Sequence, residues 1–336
     1  MEQIRLNQLP TPTYRWLGVN ETTAVLPAKS ETEPQWRIPE HVQIHRSDVQ
    51  NLNIPSGFGD EFSTEFQKLR PFSYSLSGSS DQPVHVQIPN NGLNEFHINV
   101  QRGEAMTVIM HISPENTALR SIIQADAYAK IKLVQIIQKG HTISDISAEI
   151  AENAQFDLVQ IFLETDRAIS GTAVTLDGRN SVFTSNIGYL LDNKNALDMN
   201  LNIIHNGKRS ESRTDVKGVL RGSSEKTFRG TIDFRSGASG AKGAEREDVL
   251  LMNKQVQNKT VPVILCAEED VEGSHGASIG QIDASHVFYM QSRGIPEDRI
   301  AEIIAQSKLG TVIRAIGDAE TERVILKTIG MGDTDE

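Results

Sequence analysis

The sequence has a single cysteine, Cys266, among its 336 residues. One thiol excludes a disulfide within the chain and a metal site built only from the cysteines of one chain. Aromatic residues make up only 5% of the sequence, which is low for a lectin-like or base-stacking protein. The formal charge of −11 argues against a nucleic-acid surface, which needs clustered lysine and arginine. We therefore expect no nucleic-acid partner.

Long apolar runs are absent as well. No stretch approaches the roughly eighteen apolar residues of a membrane helix, and the first residues, MEQIRLNQLP, lack the apolar core of a secretory signal. The scarcity of cysteine suits a reducing compartment. These features predict a cytoplasmic protein that does not associate with membranes.

From about Val84 to Ile282 the apolar and polar residues alternate with the period of two that is typical of strands. Within this stretch the pattern A-x-x-x-L-V-Q-I occurs twice, 25 residues apart. A strand-built repeat of roughly 20 to 50 residues favours a solenoid, in which each coil buries the apolar face of its neighbour. We therefore predict that Leu133 and Leu158 occupy equivalent inward positions one coil apart, with a β-sandwich as the alternative.

The region 1–83 before these strands is mixed, and its prolines break any long helix. Tyr14, Trp16 and Leu17 form a small apolar cluster in it. The segment S-G-F-G-D at 56–60 is rich in glycine but lacks the Lys-Ser/Thr of a phosphate-binding loop, so we assign it no nucleotide. We interpret residues 1–83 as an N-terminal docking segment.

The pattern becomes helical in the region 283–336, which ends in an acidic tail. Asp283 is the expected cap of a first helix, Pro296 begins a second that Gly310 ends, and a third runs from about Asp318. The second helix is expected to have an apolar face, formed by Ile300, Ile303 and Ile304. We expect this face to cover the last coil of the solenoid.

Two ordered blocks carry a family resemblance. Residues 269–280 read EDVEGSHGASIG, and residues 287–295 read VFYMQSRGI, with FRGTI upstream at 228–232. The chain thereby resembles the SufB/SufD family of iron–sulfur cluster assembly scaffolds, and is most similar to a short SufD-like member. Gly273 stands where SufD-like members carry a cysteine. The resemblance implies a mainly β fold, a right-handed parallel β-helix over residues 84–282, with an N-terminal arm and a small C-terminal helical region.

His275 is the leading candidate for a metal ligand, in a predicted Ser-His-Gly turn where Gly276 supplies conformational freedom. The family places a functional histidine at this position. Glu272 is a second candidate ligand. Cys266 follows an apolar run and is predicted to be a small core residue, and the acidic E-R-E-D at 245–248 is interpreted as a polar corner before a strand.

The resemblance also implies partners. Family members dock the ABC-type ATPase SufC through their C-terminal helices, which makes Arg293 and Arg299 the candidate partner-binding residues here. A SufB/SufD-type subunit or a second copy of the chain is the other expected partner. With one thiol, the chain is expected to hold iron or an iron–sulfur cluster only transiently or in a complex, since clusters use about four soft ligands.

The sequence thus favours a scaffold or accessory protein of iron–sulfur cluster assembly, and not an enzyme. Two alternatives come from other classes, a carbohydrate-active β-helix enzyme and a purely structural β-helix that associates with itself. A carbohydrate-active enzyme would need paired carboxylates along a groove. Co-purification with an ATPase would separate the scaffold from both alternatives.

Overall fold

A computed structural model of the chain describes residues 3–30, 32–47, 54–281 and 284–330. The chain winds as a parallel β-solenoid of about seven turns, and 52% of it is strand, which confirms the predicted fold class. The strands are β1 Ile4–Leu6, β2 Thr22–Ala24, β3 Gln35–Arg37, β4 Val42–Arg46, β5 Phe72–Gly78, β6 Val84–Ile88, β7 Gly92–Val100, β8 Ala105–Ile112, β9 Asn116–Ala125, β10 Lys130–Gln138, β11 His141–Ile150, β12 Gln155–Leu163, β13 Arg167–Leu176, β14 Val182–Leu191, β15 Ala196–His205, β16 Glu211–Leu220, β17 Glu225–Phe234, β18 Ala241–Leu251, β19 Gln257–Cys266 and β20 Val271–Gln281.

Two nine-stranded sheets form the walls of the solenoid. Sheet 1 has the order β20-β18-β16-β14-β12-β10-β8-β6-β3, and sheet 2 has the order β19-β17-β15-β13-β11-β9-β7-β5-β4. From β5 onward successive strands alternate between the two sheets, and within these sheets all pairs are parallel except those made by β3 and β4, which close the N-terminal end. Since β5 already pairs in parallel with β7, regular coils begin before residue 84. The three-part division of the chain stays a prediction.

The sequence repeat corresponds to one coil. Leu133 of β10 and Leu158 of β12 are register partners, and both are fully buried in the main interior cluster. Side chains alternate between the two faces of a strand, so a period-two sequence directs one set of residues into the lumen in every coil. The prediction of equivalent inward positions for these two leucines is confirmed.

The N-terminal segment covers the outer face of sheet 2. Helix α1, Asp60–Lys68, buries Phe62 and Phe66 against that face. The glycine-rich segment before α1 lies so close to the sheet that a Cβ on Gly57 would be 2.2 Å from the carbonyl carbon of Gly171. Ser56 Oγ donates to Asp145 Oδ1 at 2.9 Å. The glycines therefore allow the backbone of this segment to pack directly against the backbone of β13.

Three helices follow the solenoid, α2 Ala284–Ser292, α3 Glu297–Arg314 and α4 Ala319–Thr328. Helix α3 lies across β12, β14 and β16 on the outer face of sheet 1, and buries Leu309, Val312 and Ile313 there. The expectation that the second helix covers the last coil is therefore wrong. None of the described helices is long and apolar enough to span a membrane.

Details of α3 also differ from expectation. The helix continues through Gly310, because packing of the residues around it on sheet 1 outweighs the weak helix propensity of glycine. Ile300 is 1% exposed, whereas Ile303 is 36% exposed, so the two do not share one buried face. The expected cap of the first helix, Asp283, lies outside the described residues.

Candidate metal and partner site at the open end

The solenoid ends in two strands whose outer edges are unpaired within the described part of the chain, β19 in sheet 2 and β20 in sheet 1. Their interior-facing apolar side chains are exposed, Ile264 by 38% and Ile279 by 46%. The register partners one coil earlier, Ile232 and Val249, are 2% and 1% exposed. The interior of the solenoid therefore opens to solvent at this end unless another molecule covers it.

His275 lies in the middle of β20, and the predicted Ser-His-Gly turn is wrong. Strand β20 pairs with β18 without interruption from Val271 to Gln281, including Gly276. The backbone ladder offered by a parallel neighbour outweighs the turn preference of Ser and Gly, which is a local signal only.

The side chain of His275 belongs to the interior row. Two residues earlier, a Cβ on Gly273 would lie 3.0 Å from the ring of Phe234, inside the lumen. Residues two apart on a strand share a face, so His275 faces the mouth of the lumen. Its register partner on β18 is Glu245, on a strand about 4.8 Å away.

Glu245 is nearly buried, with 7% of its surface exposed. Burial raises the pKa of its carboxyl group to about 7, the adjacent Glu247 carboxylate adds to this rise, and the Lys226 ammonium opposes it. Glu245, Glu247 and His275 line the same open depression of about 530 Å³. The mouth thus combines an imidazole with a carboxyl group that is easily protonated.

A buried ion pair lies behind these residues. Lys226 of β17 donates to Glu247 of β18 across the lumen, and both side chains are at most 1% exposed. Thr260 Oγ1 donates to the other carboxylate oxygen of Glu247 at 2.6 Å. Burial lowers the pKa of Lys226, and the attraction of Glu247 opposes that effect. Glu247 is therefore held by two donors, whereas the Glu245 carboxylate lies against Gly230 of β17 on the opposite wall.

The E-R-E-D segment is thus the middle of β18 and not a polar corner. Glu245 and Glu247 face inward and were not singled out as site residues. Their spacing of two, in a segment that alternates with the period of a strand, was the signal that could have placed both carboxylates on one face.

Cys266 is exposed, so its prediction as a core residue is wrong. It is the register partner of the buried Phe234, and it faces inward on the last strand of sheet 2, where none of the described residues forms a further coil over it. Its Sγ donates to the carbonyl oxygen of Glu268 at 3.1 Å. The chain therefore presents a thiol at the open end, on the wall opposite Gly273.

Glu272 and His275 face opposite sides of β20. Glu272 points outward and pairs with Lys242 at 2.8 Å. Among the described residues no three His, Cys, Asp or Glu side chains are grouped closely enough to hold a metal ion. The mouth thus offers His275 and Glu245 as a partial ligand set, and Glu272 is not brought to it.

Helix α2 presents a second exposed surface. Phe288 is 72% and Tyr289 58% exposed, and the guanidinium of Arg293 lies 5.2 Å from the centre of the Tyr289 ring. Arg299 lies elsewhere, where it pairs with Glu302 at 2.7 Å and donates to the carbonyl oxygen of Gly330 at 3.1 Å. Of the two candidate arginines, Arg293 borders an exposed aromatic face and Arg299 ties α3 to the end of α4.

Comparison with known proteins identifies relatives of this chain. The model of the SUF system FeS cluster assembly SufBD core domain matches residues 86–307, about two thirds of the chain. The iron-sulfur cluster assembly protein SufD of Escherichia coli is 25% identical over 269 residues, which cover 78% of this chain and 64% of that protein. SufD of Bacillus subtilis is 32% identical over 114 residues, covering 34% of this chain and 26% of the relative.

A chloroplastic SufBD family protein of Arabidopsis thaliana, ABCI8, is 32% identical over 139 residues, which cover 41% of this chain and 25% of the relative. The matched segments therefore span between about a quarter and two thirds of the length of these relatives. With the core-domain match over most of the solenoid, the chain belongs to the SufB/SufD family of iron–sulfur cluster assembly proteins.

Proposed function

We propose that this chain is an accessory scaffold of iron–sulfur cluster assembly whose working surface is the open end of the solenoid. Iron or a nascent cluster is the cargo, held there jointly with a second SufB/SufD-type subunit or a second copy. The observation that carries the proposal is the register pair of His275 and Glu245 at an end where the interior is exposed.

The residues at the mouth suit iron. Imidazole and carboxylate are ligands that iron accepts, and Glu245 and Glu247 with Lys226 leave one net negative charge when both carboxylates are ionised. One histidine and one carboxylate do not complete a coordination sphere, and a cluster uses about four soft ligands. Cys266 adds one thiol on the opposite wall. The remaining ligands must come from a partner, which fits a site that is complete only after pairing.

The edges of β19 and β20 provide the means of pairing. An unpaired strand edge presents a row of backbone donors and acceptors, and natural proteins usually protect such edges. Here the same two edge strands also expose apolar side chains, Ile264 on β19 and Ile279 on β20. A second solenoid end would continue both sheets and bury the open core, as one coil of a solenoid does for the next.

The second part of the proposal concerns the energy source. The face of α2 formed by Phe288, Tyr289 and Arg293 is the candidate docking site for a SufC-type ATPase. Aromatic residues and arginine are the side chains most enriched among interface hot spots. This face lies on a helix whose principal contacts among the described residues are with α3, so a partner could bind it without disturbing the solenoid.

A pull-down with a SufC-type ATPase, combined with thermal melts, tests this assignment. Phe288→Ser with Tyr289→Ser should abolish binding at an unchanged melting temperature, and Arg293→Glu should weaken it. Val324→Ser, which changes a 53% exposed residue on α4, is the matched control. Arg299→Glu should lower the melting temperature because it breaks the tether to α4. Full binding by the double serine variant would contradict the docking face.

A further inference from the structure

The loop between β1 and β2 displays two large aromatic side chains to solvent. Tyr14 is 74% and Trp16 81% exposed, although Leu9 and Val19 in the same loop are buried. Exposed tryptophan of this extent is unusual, because burial of an aromatic side chain is among the larger favourable contributions to folding. We call residues 13–20 the aromatic hook.

The hook is held in a defined shape. Thr13 N–H and Oγ1 both donate to Asn20 Oδ1, at 2.7 and 2.9 Å, and Asn20 Nδ2 donates back to the Thr13 carbonyl at 3.0 Å. Between these ends Arg15–Leu17 form a 3₁₀ turn, closed by Gly18 at φ 61°. A loop that is ordered before it binds loses less conformational entropy on binding. The aromatic pair is therefore presented in a form suited to recognition.

The position of the hook follows from its anchors on sheet 2. Thr23 at the base of the loop accepts from Arg167 of β13, Asn7 donates to Asp198 of β15, and the Val19 carbonyl accepts from Arg229 of β17. The anchors therefore advance strand by strand toward the open end. The next strand in that direction is β19, the edge of the sheet. Val19, the anchor within the hook, thus lies over β17, the strand next to that edge.

The outer face of β19 is a matching surface. Val261, the register partner of Arg229, starts a half-buried apolar stripe that continues with Val263 and Leu265. The turn after β19 is acidic, with Glu269 and Asp270 exposed. The hook carries Arg15 between its two aromatic residues. Apolar surface would thus meet apolar surface, and a cation would meet an acidic turn.

We propose that the aromatic hook clamps a second copy of this chain seated end to end on the open solenoid. A second copy that extends sheet 2 would place its own β19 beside the β19 edge of the first copy. The hook of the first copy runs across β13, β15 and β17 toward that edge. It would therefore reach the apolar stripe on β19 of the second copy. Two-fold symmetry makes the contact reciprocal, so each pair contains two hooks. This inference rests on the end-to-end pairing in the proposed function and adds the element that grips the partner.

Tryptophan fluorescence gives a direct test, because the chain has two tryptophans. Trp36 packs on Tyr74 and Phe96 with ring centroids 5.1 and 5.9 Å away, and Trp36→Phe leaves Trp16 as the reporter. As the concentration rises and sedimentation shows dimers, the Trp16 emission should shift to shorter wavelength and become protected from iodide. Dimers in which Trp16 stays fully quenchable would overturn the hook while leaving the end-to-end pairing intact.

A second measurement uses affinity. Trp16→Ser should raise the dimer dissociation constant at least about tenfold, because central tryptophans are typical hot spots. Tyr128→Ser, which removes a 49% exposed aromatic residue from another turn, should leave it unchanged. Equal affinities for both variants, or a chain that stays monomeric at all concentrations, would overturn the proposal. If Trp16 became protected from iodide only when a different SufB/SufD-type subunit was added, the partner of the hook would not be a second copy of this chain. The proposed function would stand in that case.

Discussion

His275 and Glu245 are register partners on the last two strands of sheet 1, and no further strand in the described part of the chain pairs with the outer edge of the strand that carries His275. In every earlier coil the residue in this row is covered by a following strand, as Thr214 is by Glu245. The end of the solenoid therefore leaves an interior position accessible to a partner. A histidine at this position combines access from outside with a buried carboxyl neighbour.

Iron binding should depend on this pair and not on Glu272. We expect His275→Ala and Glu245→Gln each to weaken Fe²⁺ binding by the paired protein at least about tenfold, measured by anaerobic equilibrium dialysis. Even substitution of residues that only hydrogen-bond to metal ligands weakens metal binding on that scale. Glu272→Gln is the control, because its side chain points outward and pairs with Lys242. Equal loss in the control would show that surface charge alone attracts the iron.

The lumenal ion pair should matter for stability. Lys226→Met leaves the Glu247 carboxylate buried without its cation, and should lower the free energy of unfolding by about 3 to 5 kcal/mol. Replacing both residues, as Lys226→Met with Glu247→Leu, should restore most of the loss because no buried charge remains unpaired. Urea unfolding measures both variants. A single variant as stable as the parent would mean that the ammonium is not needed to compensate Glu247.

The contact between Asp145 and the N-terminal segment predicts a pH effect. Burial raises the Asp145 pKa from 3.8 to about 6, against the opposing attraction of Arg120 and hydrogen bonds from Ser56, Gly57 and Phe58. When pH rises from 4 to 7 the unfolded chain loses this proton first, so the contribution of Asp145 to folding stability falls, by about 2 kcal/mol. The difference in unfolding free energy between the parent and Asp145→Asn should fall by that amount over this range. A difference that grows with pH would mean that Arg120 keeps the carboxylate ionised throughout.

The glycine-rich segment should tolerate no side chain at its closest approach. Gly57→Ala places a methyl group 2.2 Å from the Gly171 carbonyl carbon, and should cost at least about 2 kcal/mol of stability. Gly276→Ala is the matched control, because a Cβ at that position meets no atom within 4 Å. Thermal melts of both variants should separate them clearly. Equal melting temperatures would contradict the close approach of the segment to β13.

The regular part of the fold could be predicted from the sequence because it repeats. The inward leucines at 133 and 158 follow from a period of two and a coil length of 25, both of which are visible in the residues. The position of α3 could not be predicted in this way. Its buried residues, such as Leu309 and Val312, could pack equally well on the end of a solenoid or on its side. Only the tertiary contacts of the folded chain determine which of these two positions the helix takes.

The candidate site was predicted in part. His275 was found through the family motif, but its partner Glu245 is distant in sequence and becomes a neighbour only through the register of β18 and β20. Cys266 was misassigned because an apolar run signals burial only when another coil follows. Local preferences of Ser and Gly gave a turn at 274–276 where an edge strand continues. Both of these errors occurred at the open end, where the described part of the chain adds no further coil.

Anaerobic native mass spectrometry with Fe²⁺ tests most directly whether two solenoid ends hold iron jointly. The control variant, Val324→Glu, alters an exposed residue on α4, and the test variant, Ile264→Glu with Ile279→Glu, places charges at the open end where both isoleucines are already exposed. We expect iron in the paired species of the parent and the control, and a folded, iron-free monomer for the test variant, with a melting temperature lowered only by the loss of pairing. Stoichiometric iron on monomers, or full iron retention by the test variant, would contradict it.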